Sequence, residues 1–193
     1  MTKKITTILT ELVGVIPDSA QSATERPEVR AKEIARKTAM KAAAFSSVLA
    51  IPPGPLGIVT VIPDLFGIWR FQRQMVADIA AAYDATAELR TETMVYCLFK
   101  HGCAALTRDL VVRTGERLLI RTASVKSMQT ILSRIGFTIS ERVVSESLAR
   151  FVPFVGAVGL GAYAYYDTTK VGQTAMELFA SSGECLPPLL EKI

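Results

Sequence analysis

The chain has 193 residues, of which half are hydrophobic and 21% charged, with a formal net charge of +4. That length suits one domain whose core needs no metal or disulfide staple, and three cysteines are too few and too odd in number for a disulfide framework, which points to a reducing compartment. A mean hydropathy of +0.32 with so few charges implies apolar surface that faces something other than water.

In chain order, residues 4–16 predict a short amphipathic helix, not a signal peptide. Ile5, Ile8, Leu9, Leu12 and Val13 recur at i, i+3, i+4 spacing, and Thr6, Thr7, Thr10 and Glu11 interrupt any long apolar run. A polar linker completes residues 1–24, and residues 25–193 read as the main helical domain. Ser22 and Glu25 have capping-box spacing ahead of a helix to about Leu49. Asp64 is placed to cap a helix over 65–82 that carries Ile68, Phe71, Met75 and Ile79 on one face. Thr86 opens a third helix over 87–101, Gly102 interrupts, and a helix over 104–121 is expected next. Further helices follow over 124–135, ended by Gly136, then from the Thr138/Glu141 capping-box pair to about Ala149, and then to about Ala180. No sustained period-2 run stands out. The fold class is all-α, a single bundle of about six to eight helices.

Two stretches carry no charge: residues 42–63 (AAAFSSVLAIPPGPLGIVTVIP) and 151–166 (FVPFVGAVGLGAYAYY). The first is long enough to cross a bilayer as one helix, but Pro52, Pro53, Gly54 and Pro55 sit in its middle. Both therefore read as Pro/Gly-broken apolar hairpins, packed against each other centrally. Each follows a basic helix, reaches an aspartate (Asp64 or Asp167) and leads into an amphipathic helix with a methionine (Met75 or Met176), a weak internal repeat.

The stretch LAIPPGPLGIVTVIPDLFGIWRFQRQMVADIAAAYD, with FVPFVGAVGLGAYAYYDTTKVGQTAMELF later, resembles the EcsC family, helical bacterial proteins some of which are encoded near an ABC exporter. The shared pattern is a Pro/Gly-rich apolar stretch, an aspartate, an amphipathic helix ending in Ala-rich sequence and a tyrosine, then a PxxGxxxG segment. It spans roughly residues 25–180. The segment is also similar to the helical apolar domain appended to some membrane-associated bacterial GTPases. The family commonly has an asparagine near the position of Asp167, where this chain departs from it. The resemblance implies a helical fold and membrane association, and it brings no catalytic residues.

Chemical motifs are sparse. Cys97, His101 and Cys103 lie within seven residues and are zinc-compatible types, but no second pair completes a site, so buried free thiols are the expectation and no metal or other cofactor is assigned. GxSxG and HExxH are absent, GAVGLG lacks the Lys-Ser/Thr of a phosphate loop, and no enzyme activity is assigned. Arg113, Arg117 and Arg121 would form a stripe on one helix face. With Arg36, Lys37, Lys41 and Arg150 they are the expected contacts to anionic lipid headgroups. Asp64, Arg70, Arg73 and Asp167 form a second candidate, a polar site beside the apolar stretches. The basic segments lack interleaved aromatics, which argues against nucleic acid.

The expected function is a non-catalytic membrane-associated helical protein, cytoplasmic and peripheral to the inner membrane, in a regulatory or adaptor role linked to an ABC transporter, with anionic lipid and a protein as partners. The alternative is a soluble partner-binding protein of immunity or inhibitor type with the apolar stretches buried as core. An enzyme built on Cys97/His101 or on Asp64 and its arginines is the third reading.

Overall fold

The computed structural model describes residues 2–49, 61–114, 117–147 and 155–182. They form an all-α bundle of seven helices and one small hairpin: α1 (Thr2–Gly14), α2 (Pro27–Leu49), α3 (Val61–Ala82), α4 (Thr91–Phe99), α5 (Ala104–Thr107), β1 (Val111–Thr114), β2 (Arg117–Ile120), α6 (Val125–Ser147) and α7 (Val155–Ser182).

The helix faces follow the sequence periodicity. On α1, Ile5, Leu9, Leu12 and Val13 are buried with Ile8 packed beside them. The amphipathic face of this helix is thus covered by the chain itself. On α7 the buried positions Ala164, Thr168, Val171, Ala175, Leu178 and Phe179 recur at three- and four-residue steps. The short α4 is buried on all sides over residues 92–99, Glu92 and Thr93 included, because other elements enclose it. Trp69 of α3 packs edge-on against Phe99 at its end, with ring centroids 5.9 Å apart.

Several expectations are corrected. Helix α3 begins at Val61, so Asp64 lies inside its first turns and is not the cap. Pro63 is tolerated there because first-turn N–H groups have no helical acceptor to lose. Ser22 and Glu25 precede α2, which starts at Pro27. The bonds at its entry run instead from the Arg26 amide to Thr24 Oγ1 and from the Arg30 guanidinium to Gln21 Oε1. Thr86 opens only a 3-10 turn, and α4 starts at Thr91. Gly136 ends nothing. It is buried within the continuous α6, where a Cβ would strike Thr6 of α1. Glycine there permits close helix approach, which offsets its poor helix propensity.

The expected helix over 104–121 is the largest miss. Only residues 104–107 are α-helical, and residues 111–114 and 117–120 pair antiparallel, with Val111 opposite Ile120 and Val112 opposite Leu119. Val111, Leu118 and Ile120 pack on the core while Val112 and Leu119 are exposed, an inside–outside alternation of period two. Adjacent valines and a following Gly115 disfavour a helix and fit a hairpin.

Helix α3 ends in a Schellman motif. The Ala85 amide donates to the Ala80 carbonyl and the Asp84 amide to that of Ala81. Asp84, at φ 57°, takes the left-handed position usually held by glycine.

Candidate functional site

Close glycine approaches fix how the long helices run. A Cβ on Gly67 of α3 would enter the Phe45 ring of α2, and one on Gly161 of α7 would meet Ser47 and the Ala43 carbonyl. Further along, Gly172 of α7 faces Ala35 of α2 and Met75 of α3. Helices α3 and α7 are therefore parallel neighbours, and α2 runs antiparallel to both. The end of α2, the start of α3 and the start of α7 share one end of the bundle.

That end is where the two charge-free stretches of the sequence enter and leave the described helices. Residues 50–60 and 148–154 lie outside the described residues, so the predicted break at 52–55 and Pro153 are not placed. The described part of the second stretch, 155–166, is unbroken helix, and Gly156, Gly159 and Gly161 do not interrupt it. Its small residues divide by face: Gly161 and Ala164 are buried against α2, and Gly159 and Ala162 are exposed. Close packing within the chain thus accounts for part of the small-residue pattern. Exposed at this same end are Val48 (62%), Val158 (73%) and Tyr166 (59%), with Tyr163 and Tyr165 beside them in sequence. Cations border the exposed apolar residues. The Lys170 ammonium lies 5.6 Å over the Tyr166 ring, the Arg70 guanidinium 5.9 Å over the Phe66 ring, and Lys41 is exposed on α2.

Between α2 and α3 at this end is a cleft of about 580 Å³, walled by Phe45, Phe66 and Phe71 and by Arg70 and Arg73. Phe45 and Phe71 meet edge to face at 5.5 Å. Arg73 is anchored: its Nη1 donates to the Leu12 carbonyl at 2.7 Å and the Val15 carbonyl at 3.1 Å, at the end of α1. These are carbonyls that a helix C-terminus leaves without amide donors, and a cation suits them. The Arg73 Nε is buried with no hydrogen-bond partner. Burial, and then the nearby charge of Arg70, lower the Arg73 pKa.

On the other side of α3, Asp167 collects two donors. Gln72 Nε2 donates to Asp167 Oδ2 at 2.6 Å and to Thr168 Oγ1 at 3.2 Å, and His101 Nε2 lies 2.6 Å from Asp167 Oδ1. Gln72 is wholly buried, and its Oε1 has no partner. The cluster borders a cleft of about 70 Å³ lined by Trp69, Phe99, Cys103 and Tyr163. Its chemistry is a carboxylate shared by an amide and an imidazole, which ties α3, α7 and the turn after α4 together.

The structure therefore divides the expected polar site. Asp167 belongs with Gln72 and His101, Arg70 and Arg73 with the aromatic cleft, and the Asp64 side chain lies outside the described residues. Gln72 and His101 were not read as partners of Asp167. The one signal for Gln72 was a polar residue at a core position of the Ile68, Met75, Ile79 stripe. Of the metal candidates, Cys97 is fully enclosed and burial pushes its thiol up to about 12, a protonated form that ligates poorly. Among the described residues no three His, Cys, Asp or Glu side chains are grouped to hold a metal.

The expected headgroup contacts that the described residues include lie on different elements. Arg36, Lys37 and Lys41 follow the exposed face of α2, with Lys37 paired to Glu33 at 2.6 Å. Arg113 and Arg117 sit on the hairpin and Arg121 just after it, not four apart on a helix. The Leu118 amide donates to Ser181 Oγ. This places the hairpin about 30 Å along α7 from Gly161, at a rise of about 1.5 Å per residue. The side chains of Arg113, Arg117 and Arg150 lie outside the described residues. No protein-family model, curated protein or solved structure matches this chain.

Proposed function

We propose that the protein is a non-catalytic helical adaptor or regulator that docks peripherally on the cytoplasmic face of the inner membrane through the shared end of α2, α3 and α7. The observation that carries this reading is the convergence there of both charge-free stretches, with Val48 and Val158 exposed, and with Tyr166, Lys41 and Arg70 on the turns that follow. Tyrosine suits the headgroup level because its ring is apolar and its hydroxyl wet. Each lysine or arginine near an anionic surface contributes about 1 kcal/mol. Among the described residues no helix is long and apolar enough to cross a membrane, so the docking is shallow. The resemblance to the EcsC family supports the same reading and extends it to a protein partner, an ABC transporter.

The second reading, a soluble partner-binding bundle, draws on the mutual burial of Ala42, Ile68 and Ala164, which puts part of the charge-free stretches into core. Flotation of the purified protein with vesicles containing phosphatidylglycerol separates the two. Membrane docking predicts that wild-type protein floats and that the double variant Val158→Ser, Tyr166→Ser stays at the bottom of the gradient. A wild-type protein that remains wholly at the bottom at ordinary salt selects the soluble reading.

A further inference from the structure

We infer that the cleft between α2 and α3 receives the phosphate of an anionic phospholipid, held by Arg70 and Arg73, with the first carbons of its tails against Phe45, Phe66 and Phe71. This rests on the membrane-docking reading and gives it a ligand.

Three observations carry it. Arg70 and Arg73 stand one turn apart on the same helix, where side chains are neighbours. Like charges so placed repel, yet among the described residues no carboxylate lies within ion-pair distance of either. The Arg73 guanidinium is already fixed by two α1 carbonyls, while its buried Nε–H still lacks an acceptor. An oxyanion entering the cleft relieves that repulsion through charge-assisted hydrogen bonds to the guanidinium groups. A guanidinium held in place beforehand loses little freedom on binding, and its planar fork matches phosphate.

The walls decide what carries the phosphate. They are three phenylalanine rings, and a cleft of about 580 Å³ has room for a headgroup and the start of its chains. A free phosphate ion would leave those rings wet. One wall of the cleft, Phe45 with Phe66 and Gly67, lies on the same turns as the ends of the first charge-free stretch, near the exposed Val48. Phe66 and Arg70 are already in cation–π contact, so the headgroup meets an arginine held over an apolar surface.

The test uses the full chain and four proteins: wild type, Arg70→Gln, Arg70→Lys and, as a surface-charge control, Arg36→Gln. Arg73 is left intact because it also holds α1. Binding is measured to vesicles of phosphatidylcholine with and without phosphatidylglycerol. Ring resonances of the phenylalanines are followed by NMR on adding monomeric dihexanoyl phosphatidic acid or inorganic phosphate. The expected result is about a tenfold loss of affinity for phosphatidylglycerol vesicles in Arg70→Gln, equivalent to about 1.4 kcal/mol, with a much smaller loss in Arg36→Gln. Arg70→Lys should fall between them, because it keeps the charge and loses the fork. The short-chain lipid, and not inorganic phosphate, should shift the ring resonances in wild type and not in Arg70→Gln. Ring shifts that depend on Arg70 without any vesicle binding would uphold the cleft and remove the membrane reading. Equal losses in Arg70→Gln and Arg36→Gln, or ring shifts produced as well by inorganic phosphate, would overturn the cleft and leave docking to the exposed apolar residues alone.

Discussion

The surroundings of α4 and the shared end of α2, α3 and α7 are both apolar, but for opposite reasons. Residues 94–99 are apolar because other elements enclose them, and large side chains such as Met94, Leu98 and Phe179 fill the space. At the other site α2 and α7 touch through alanine, glycine and serine, while Val48, Val158 and Tyr166 point outward. The difference teaches that apolar composition alone does not identify core. What distinguishes the regions is which residue sizes meet, since large side chains fill a centre and small ones let backbones approach.

The contrast is broken most directly in the enclosed region. Phe179→Ala should cost about 3–5 kcal/mol in urea denaturation, because a fully buried ring leaves a cavity that cannot collapse. A cost below the range for an exposed site would show that the centre is not close-packed. In the small-residue seam the effect runs the other way, from too much volume. Gly161→Val should cost about 1–3 kcal/mol, since its Cβ already meets the Ala43 carbonyl, a backbone atom that yields less readily than a side chain.

A pH measurement sharpens the same comparison. The buried Cys97 thiol ionises at about 12 in the folded chain, against 9.0 for a free thiol. Between these values the unfolded chain releases a proton that the folded chain keeps. The contribution is whole below pH 9 and falls by about 1.4 kcal/mol per pH unit as the pH rises toward about 12. Urea midpoints above pH 9 should therefore decline less steeply in Cys97→Ala than in wild type. Smallest of all, Val158→Ser with Tyr166→Ser should shift stability by no more than about 0.5 kcal/mol, as exposed substitutions do, even where vesicle binding is lost. A large loss of stability in that double variant would place those side chains in the core instead.

Much of the bundle was legible in the sequence because helix faces are local. The stripe Ile5, Ile8, Leu9, Leu12 and Val13, and that of Ile68, Phe71, Met75 and Ile79, in which Ile8 and Phe71 are only half-buried, repeat within a few turns of one helix and need no knowledge of a partner. The hairpin at 111–120 was hidden by arginines at helical spacing, a pattern that competed with the β-branched Val111 and Val112. Gly136 looked like a terminator because its reason for being glycine, the nearness of Thr6, lies 130 residues away in the chain. The candidate sites were only half visible. Arg70, Arg73 and Asp167 stood out as charges beside apolar stretches, but their grouping did not.

The sequence by itself determined an all-α chain, the buried face of two of its helices, α1 and α3, and two uncharged stretches rich in proline and glycine. Tertiary structure alone decided that these stretches, expected to pack together at the centre, border one end of the bundle instead. It also gave Asp167 to Gln72 and His101, and set Arg70 and Arg73 in an aromatic cleft without a carboxylate among the described residues. The physical reason is range. Periodicity and propensity act over a turn or two, whereas the Gln72–Asp167 bond joins side chains 95 residues apart, and such a pairing exists only once the helices have packed.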